Sequence, residues 1–228
     1  MDYVFHFGFV WDSRYDLLRG ALLTLRLSAE TMALGLVLGV FGAWVKTSHF
    51  ALLRVMVQVY IEAIRNTPFL VQLFLFYLGL PRMGLRLSPD DAALLAMVVN
   101  LGAYATEIVR AGVEAVPRGQ VEAGRALGLR PWPIFRFIVI IPALQTVFPA
   151  LGSQFVLVVL GSSVISTISA EELTAVANNL QSQNFRPFEI YFAAGGIYLA
   201  MVFAFQALFA GIQRLAFPAA RAVDDTPI

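Results

Sequence analysis

A chain of 228 residues that is 59% hydrophobic and only 14% charged, with a mean hydropathy of +0.74, is too apolar for a water-soluble domain and implies a membrane protein. A net charge of +1 excludes the massed basic surface of a nucleic-acid binder. The absence of cysteine excludes disulfides and thiolate chemistry, and His6 and His49 are too isolated to form a metal-ligand cluster.

No polar linker or low-complexity stretch divides the sequence. We expect one all-α, polytopic domain over 1–228, with about five transmembrane helices near 20–45, 55–80, 92–112, 135–165 and 190–214. A polar loop interrupts them at 115–133. The first residues lack a basic stretch followed by an apolar core, so the first span is expected to serve as its own insertion signal.

Met1–Asp16 mixes aromatics with charges, as suits an interfacial segment. The first long helix carries Arg26 and Glu30 four residues apart on one face, where they either neutralise each other or line a polar path. Gly35, Gly39 and Gly42 let another helix come close. The second hydrophobic segment, Leu52–Leu80, is broken at Pro68. Too few residues follow that proline for an independent span, so Pro68 kinks the helix or joins an interfacial helix to a membrane one. Glu62 and Arg65 are spaced to pair, and Thr67 can satisfy backbone groups freed by the proline or face a substrate.

The third span carries Asn100, Tyr104, Thr106, Glu107 and Arg110, with Glu107 and Arg110 again spaced to pair. Next comes the charged stretch Gly119–Pro142, where Glu122, Arg125 and Arg130 flank Ala123, Ala126, Leu127 and Leu129. Charges there must face water. Gly128 can end a short helix in a left-handed cap, and Pro131 and Pro133 are expected to stop it from continuing. The fourth span is broken early by Pro142 and Pro149, and Ser162 and Ser163 near its far end either bond back to helix carbonyls or line a path. Ser169–Glu189 is the longest polar connection; within it Ala170–Gln183 is expected to form an exposed helix. Gly195-Gly196 is expected to be a close-packing point of the fifth span, and Asp224–Ile228 a frayed end.

Glu122-Ala123-Gly124, three residues, then Gly128 and an aromatic-apolar run to Pro142 resembles the EAA loop of ATP-binding-cassette (ABC) importer permeases. Gly124 stands where that motif usually has a second Ala, and Pro142 falls one residue late. Glu62–Pro68, Ala103–Arg110 and Val116–Gln120 resemble the polar-amino-acid branch of the same family. That branch usually has Lys-Asp before two hydroxyl residues, where this chain reads Leu160-Gly161-Ser162-Ser163.

The resemblance implies the type I importer permease fold and a coupling helix of Glu122, Ala123, Gly124, Ala126, Leu127 and Gly128. It implies two cytoplasmic ATPase subunits, a second permease chain and an external, periplasmic or lipid-anchored amino-acid-binding protein. A candidate substrate path comprises Thr67, Asn100, Glu107, Ser162 and Ser163. The missing aspartate leans toward neutral or acidic amino acids.

No GxxxxGK[ST] loop occurs, so ATP and Mg are expected on a partner, with no cofactor or catalytic residue here. With the N-terminus outside, nine basic residues (Lys46, Arg54, Arg110, Arg118, Arg125, Arg130, Arg136, Arg214, Arg221) face the cytoplasm against five outside (Arg14, Arg19, Arg82, Arg86, Arg186), so N-out and C-in in a bacterial inner membrane is expected. The alternative is an ion-coupled secondary carrier using Glu30, Glu62 and Glu107 as proton relays, although the chain lacks an internal repeat.

Overall fold

The computed structural model describes residues 3–217. The tail 224–228 and Arg221 of the charge count lie outside the described residues. A one-turn helix, Gly8–Asp12, precedes α1 (Arg14–Lys46), followed by α2 (Ala51–Arg65), α3 (Phe69–Met83), α4 (Pro89–Glu114), α5 (Arg118–Ala126), α6 (Pro131–Ile168), α7 (Leu173–Asn184) and α8 (Pro187–Ala216). No strand occurs among the described residues. Helices α1, α4, α6 and α8 are each long and apolar enough to cross a membrane, and the bent pair α2–α3 makes up to five.

Side chains are sorted in the sense expected of a bilayer solvent. Between its buried end residues Leu17 and Val45, the buried stripe of α1 is small or hydroxylated: Gly20, Ala21, Thr24, Ser28, Thr31, Gly35, Gly39, Gly42 and Ala43. Its large apolar residues, among them Leu22, Val37, Phe41 and Trp44, point outward. Lipid tails are as apolar as leucine, so helices associate through close backbone approach. At Gly39 an added Cβ would sit 2.4 Å from the Ala105 Cβ, and at Gly42 2.4 Å from the Thr106 hydroxyl. Gly35, Gly39 and Gly42 thus seat α1 against α4, which lies at the centre of the bundle.

Gly195 and Gly196 differ from expectation. Nothing lies within 4 Å of a Cβ at either, so within this chain they pack against no neighbour.

Pro68 is a junction: α2 and α3 meet at 111° across it. Its ring removes the N–H that would continue α2, and its ψ of 138° is extended. Thr67 Oγ1 donates to the Ala63 carbonyl at 2.7 Å, taking up an acceptor that the broken helix leaves open. Helix α5 ends before Pro131, which opens α6 and occupies its first turn, where a missing N–H costs nothing. A π-type turn over Ile134–Val139 then precedes Pro142, and a tight 3-10 stretch over Ser162–Ile168 ends the helix at Ser169, which has φ of 62°.

Candidate functional site: a surface knob and a polar membrane core

Helix α5 stands out from the end of the bundle where α1 and α4 finish. It closes in a Schellman cap: Gly128, at φ +73°, donates its N–H to the Arg125 carbonyl at 2.9 Å, and Leu129 N–H reaches the Gly124 carbonyl at 3.1 Å. Gly124 is its buried residue, and a Cβ there would lie 2.7 Å from Ile138 Cδ1, so the missing methyl lets α5 sit down on the π-turn of α6. Glu122, Ala123, Arg125, Ala126 and Gly128 are exposed, and Leu127 is 80% exposed. The result is a small rigid knob whose free face offers charge and apolar surface together.

Behind the knob, a charged network ties three helices. Lys46 Nζ, at the end of α1, donates to Glu107 of α4 at 2.6 Å and to Gln58 of α2 at 2.7 Å. Arg110 pairs with Glu107 at 2.8 Å and also with Glu114. Gln58 donates in turn to Glu62 at 2.5 Å. The expected Glu62–Arg65 pair does not form: Glu62 takes Gln58 one turn back, and the Arg65 guanidinium stacks 5.5 Å from the Tyr104 ring centroid. Glu107 therefore belongs to this anchor. Arg26 Nε lies 2.8 Å from Glu30 on an exposed face of α1, away from the core.

A second polar site lies in the membrane core, centred on Gln72, which is 3% exposed. Its amide nitrogen donates across the Pro68 bend to the Ile64 and Thr67 carbonyls at 2.7 and 3.0 Å, while its oxygen accepts from Asn100 Nδ2 at 2.9 Å. Tyr60 donates to the Val99 carbonyl at 2.6 Å, a second staple between α2 and α4. Asn100 also lines a cleft of about 120 Å³ with Phe69, Met97, Gln154, Leu157, Val158 and Gly161. No charged side chain lines it.

Thr67, Ser162 and Ser163 are not among its walls. The two serines bond back to the Val159 and Leu160 carbonyls at 2.7 and 2.8 Å, and Ser162 is fully buried. Of the expected path residues, only Asn100 reaches the cleft. Gln72 and Gln154 were missed because an isolated glutamine in an apolar run carries no spacing signal.

Helix α7, expected as an exposed helix, is half sunk: Leu173, Ala177 and Leu180 are buried, and Glu172 caps its first turn. Two carboxylates absent from the expected site, Glu172 and Glu189, are fully buried. Glu189 accepts from Arg186 at 3.0 Å, the Tyr3 hydroxyl at 2.5 Å and the His6 N–H at 3.0 Å, which straps the N-terminal segment to α8.

A bent-helix, all-α membrane bundle with a protruding loop helix is the architecture of type I ABC importer permeases. A chain solved as part of an amino acid ABC transporter with histidines superposes with a TM-score of 0.87 at 34% identity, covering 93% of this chain and 99% of that one. A chain of the MetNI methionine ABC transporter shares the fold, with a TM-score of 0.74 at 20% identity.

Residues 35–217 match the family model described as a binding-protein-dependent transport system inner membrane component, and the chain belongs to that family of transport permeases, which are not enzymes. It is 38% identical over 222 residues to the octopine transport system permease protein OccM of Rhizobium meliloti, covering 93% of this chain and 91% of the relative. It is 34% identical over 219 residues to the glutamine transport system permease protein GlnP of Escherichia coli K12, covering 92% and 97%.

Proposed function

We propose that this permease moves amino acids across the bacterial inner membrane, driven by ATP hydrolysis on separate cytoplasmic subunits that dock on α5. The observation that carries the reading is the knob itself. It has exposed Glu122 and Leu127, a cap that fixes its shape, and the Lys46–Glu107–Arg110 network anchoring α4, the helix that leads into it. Force applied at Glu122–Gly128 passes into α6 through Gly124 and into the bundle through α4. Two ATPase subunits carrying ATP and Mg, a second permease chain and an external binding protein complete the assembly. This chain lies N-out and C-in, so that α5 is cytoplasmic and α7 external.

The substrate class follows from the cleft. Its polar groups are the amides of Asn100 and Gln154, which donate and accept but carry no charge. An ionised side chain brought there would be desolvated without a counter-charge, which disfavours lysine, arginine, glutamate and aspartate. Neutral polar amino acids fit, a reading supported by the similarity to a permease named for glutamine transport. Within the neutral-or-acidic expectation, the amide walls favour the neutral half. The proton-carrier alternative is disfavoured because Glu30 is ion-paired with Arg26, Glu107 with Lys46 and Arg110, and Glu62 is exposed.

The test is a pull-down from detergent-solubilised membranes, comparing wild type with Glu122→Arg. An ATPase subunit co-purifies with the wild type and is lost with the charge reversal. Failure of any ATPase to co-purify with the wild type would remove the coupling role of α5.

A further inference from the structure

Glu172 is the one fully buried carboxylate that, among the described residues, lacks a cationic partner. Oε1 accepts the Ala175 N–H at 2.7 Å as the N-cap of α7, and Oε2 accepts the Tyr198 hydroxyl of α8 at 2.5 Å. Tyr198 also shares a hydrogen bond with Thr174 at 3.0 Å and lies beside Ser162, the residue after Gly161 of the polar cleft. A chain of contacts thus runs from the first turn of α7 through α8 to the end of α6 (Glu172, Tyr198, Ser162).

The ionisable groups that touch α7 or line the cleft beside it are Asp16 and Arg19 of α1, Asp90 of α4, Tyr191 and Tyr198 of α8, and the neighbouring Glu171. Of these, Tyr198 touches Glu172. Arg19 pairs with Glu171 at 3.5 Å, and Asp90 accepts from the Glu171 N–H at 2.9 Å. Burial pushes the Glu172 carboxyl above the usual carboxylate range, against the lowering effect of its hydrogen bonds.

We propose that Glu172 is a charge-driven release for the seam between α7 and α8. Packing strips it of water without giving it a cation, so opening the seam returns the charge to solvent and is favoured, and Tyr198 carries that motion to Ser162 and the cleft. The inference rests on the reading of this chain as a permease that opens and closes. It assigns a positioning role to a residue that a purely structural view treats as a helix cap. The contrast with Glu189 is internal: that carboxylate is equally buried but is held by Arg186, so opening gains it nothing.

The sign of the pH dependence follows. A carboxyl whose folded pKa is raised contributes stability that is fully present below the unfolded pKa and is lost as pH rises through the folded one. At neutral pH, Glu172→Gln removes the desolvated charge while its oxygen still caps α7. It raises the thermal midpoint of the purified permease by about 2–4 °C for each kcal/mol recovered. The gap to wild type closes on acidification. Tyr198→Phe removes a donor and keeps the charge, and it lowers the midpoint. A mere cap, which the glutamine oxygen also supplies, would leave the Glu172→Gln midpoint no higher than that of the wild type at neutral pH, and that result would overturn the proposal.

Because the chain has no cysteine, Ala177→Cys, at a fully buried position of α7 in the cluster it shares with Ile190 and Ala194 of α8, reports opening by its rate of labelling with a water-soluble maleimide. Glu172→Gln slows labelling by about tenfold per pKa unit that burial has added; an unchanged or faster rate sinks the release. ATP-driven uptake by the wild type is scored separately. Its absence counts against the permease reading, whereas normal uptake without the labelling change counts against Glu172 alone.

Discussion

Lys46 reaches Glu107 across 61 residues of chain, and the pair holds the ends of α1 and α4 together just behind the knob. Both side chains are mostly withdrawn from solvent, at 15% and 20% exposure, so neither is easily rehydrated when its partner goes. Glu107→Gln keeps the shape but leaves Lys46 and Arg110 facing a neutral amide. A loss of about 2–3 kcal/mol is expected, below the value for a fully buried pair because some water reaches this one. Replacing both residues with apolar ones, Lys46→Met with Glu107→Leu, recovers at least half of that loss, because the unpaired charge is what destabilises. Thermal midpoints of the two variants in detergent decide it; a double variant no better than the single one would show that the pair itself matters. At this scale the sequence is an incomplete guide. The Glu107–Arg110 spacing is readable along one helix, whereas Lys46 joins only through the fold; Glu62 takes Gln58 four residues back on its own helix, and it is Arg65 that the fold draws across to Tyr104.

Local chemistry made several elements readable in advance. Gly128 caps α5 in the left-handed conformation because the cap needs only a residue without a Cβ, and Pro68 breaks its helix because it lacks an N–H. What short-range reasoning misses is which face an element buries. Gly39 and Gly195 look alike in sequence, yet a methyl on Gly39 would meet Ala105 at 2.4 Å, while one on Gly195 meets nothing within 4 Å. Gly39→Ala is expected to cost about 1–3 kcal/mol by forcing α1 away from α4. Gly195→Ala is expected to be neutral or to stabilise the isolated chain by up to about 1 kcal/mol, since alanine is the better helix former. Parallel melts of the two variants check this. A large loss in Gly195→Ala, appearing only when the permease is assembled with a second chain, would identify the Gly195–Gly196 face as the seam between permeases.

At the scale of the whole molecule, the small stripe of α1 inside and the many large apolar side chains left outside fix the solvent as lipid, but they do not say which end of the bundle faces which compartment. Basic residues point to an answer: Lys46, Arg54, Arg110, Arg118, Arg125, Arg130 and Arg136 belong to the side that bears α5, against Arg14, Arg19, Arg82, Arg86 and Arg186 on the side that bears α7. By the positive-inside rule the α5 end is expected to lie in the cytoplasm. The absence of cysteine makes the test direct. Ala126 and Gln183 lie near opposite ends of the bundle, on α5 and α7, and neither is buried. A membrane-impermeant maleimide added to intact spheroplasts is expected to label Gln183→Cys and spare Ala126→Cys, and inverted vesicles are expected to reverse the pattern. The reverse outcome in spheroplasts would place α5 outside, beyond the reach of any cytoplasmic ATPase. The coupling role of Glu122 would then fall even though the fold and the family stand, because both hold in either orientation whereas the direction of the ATP-driven stroke does not.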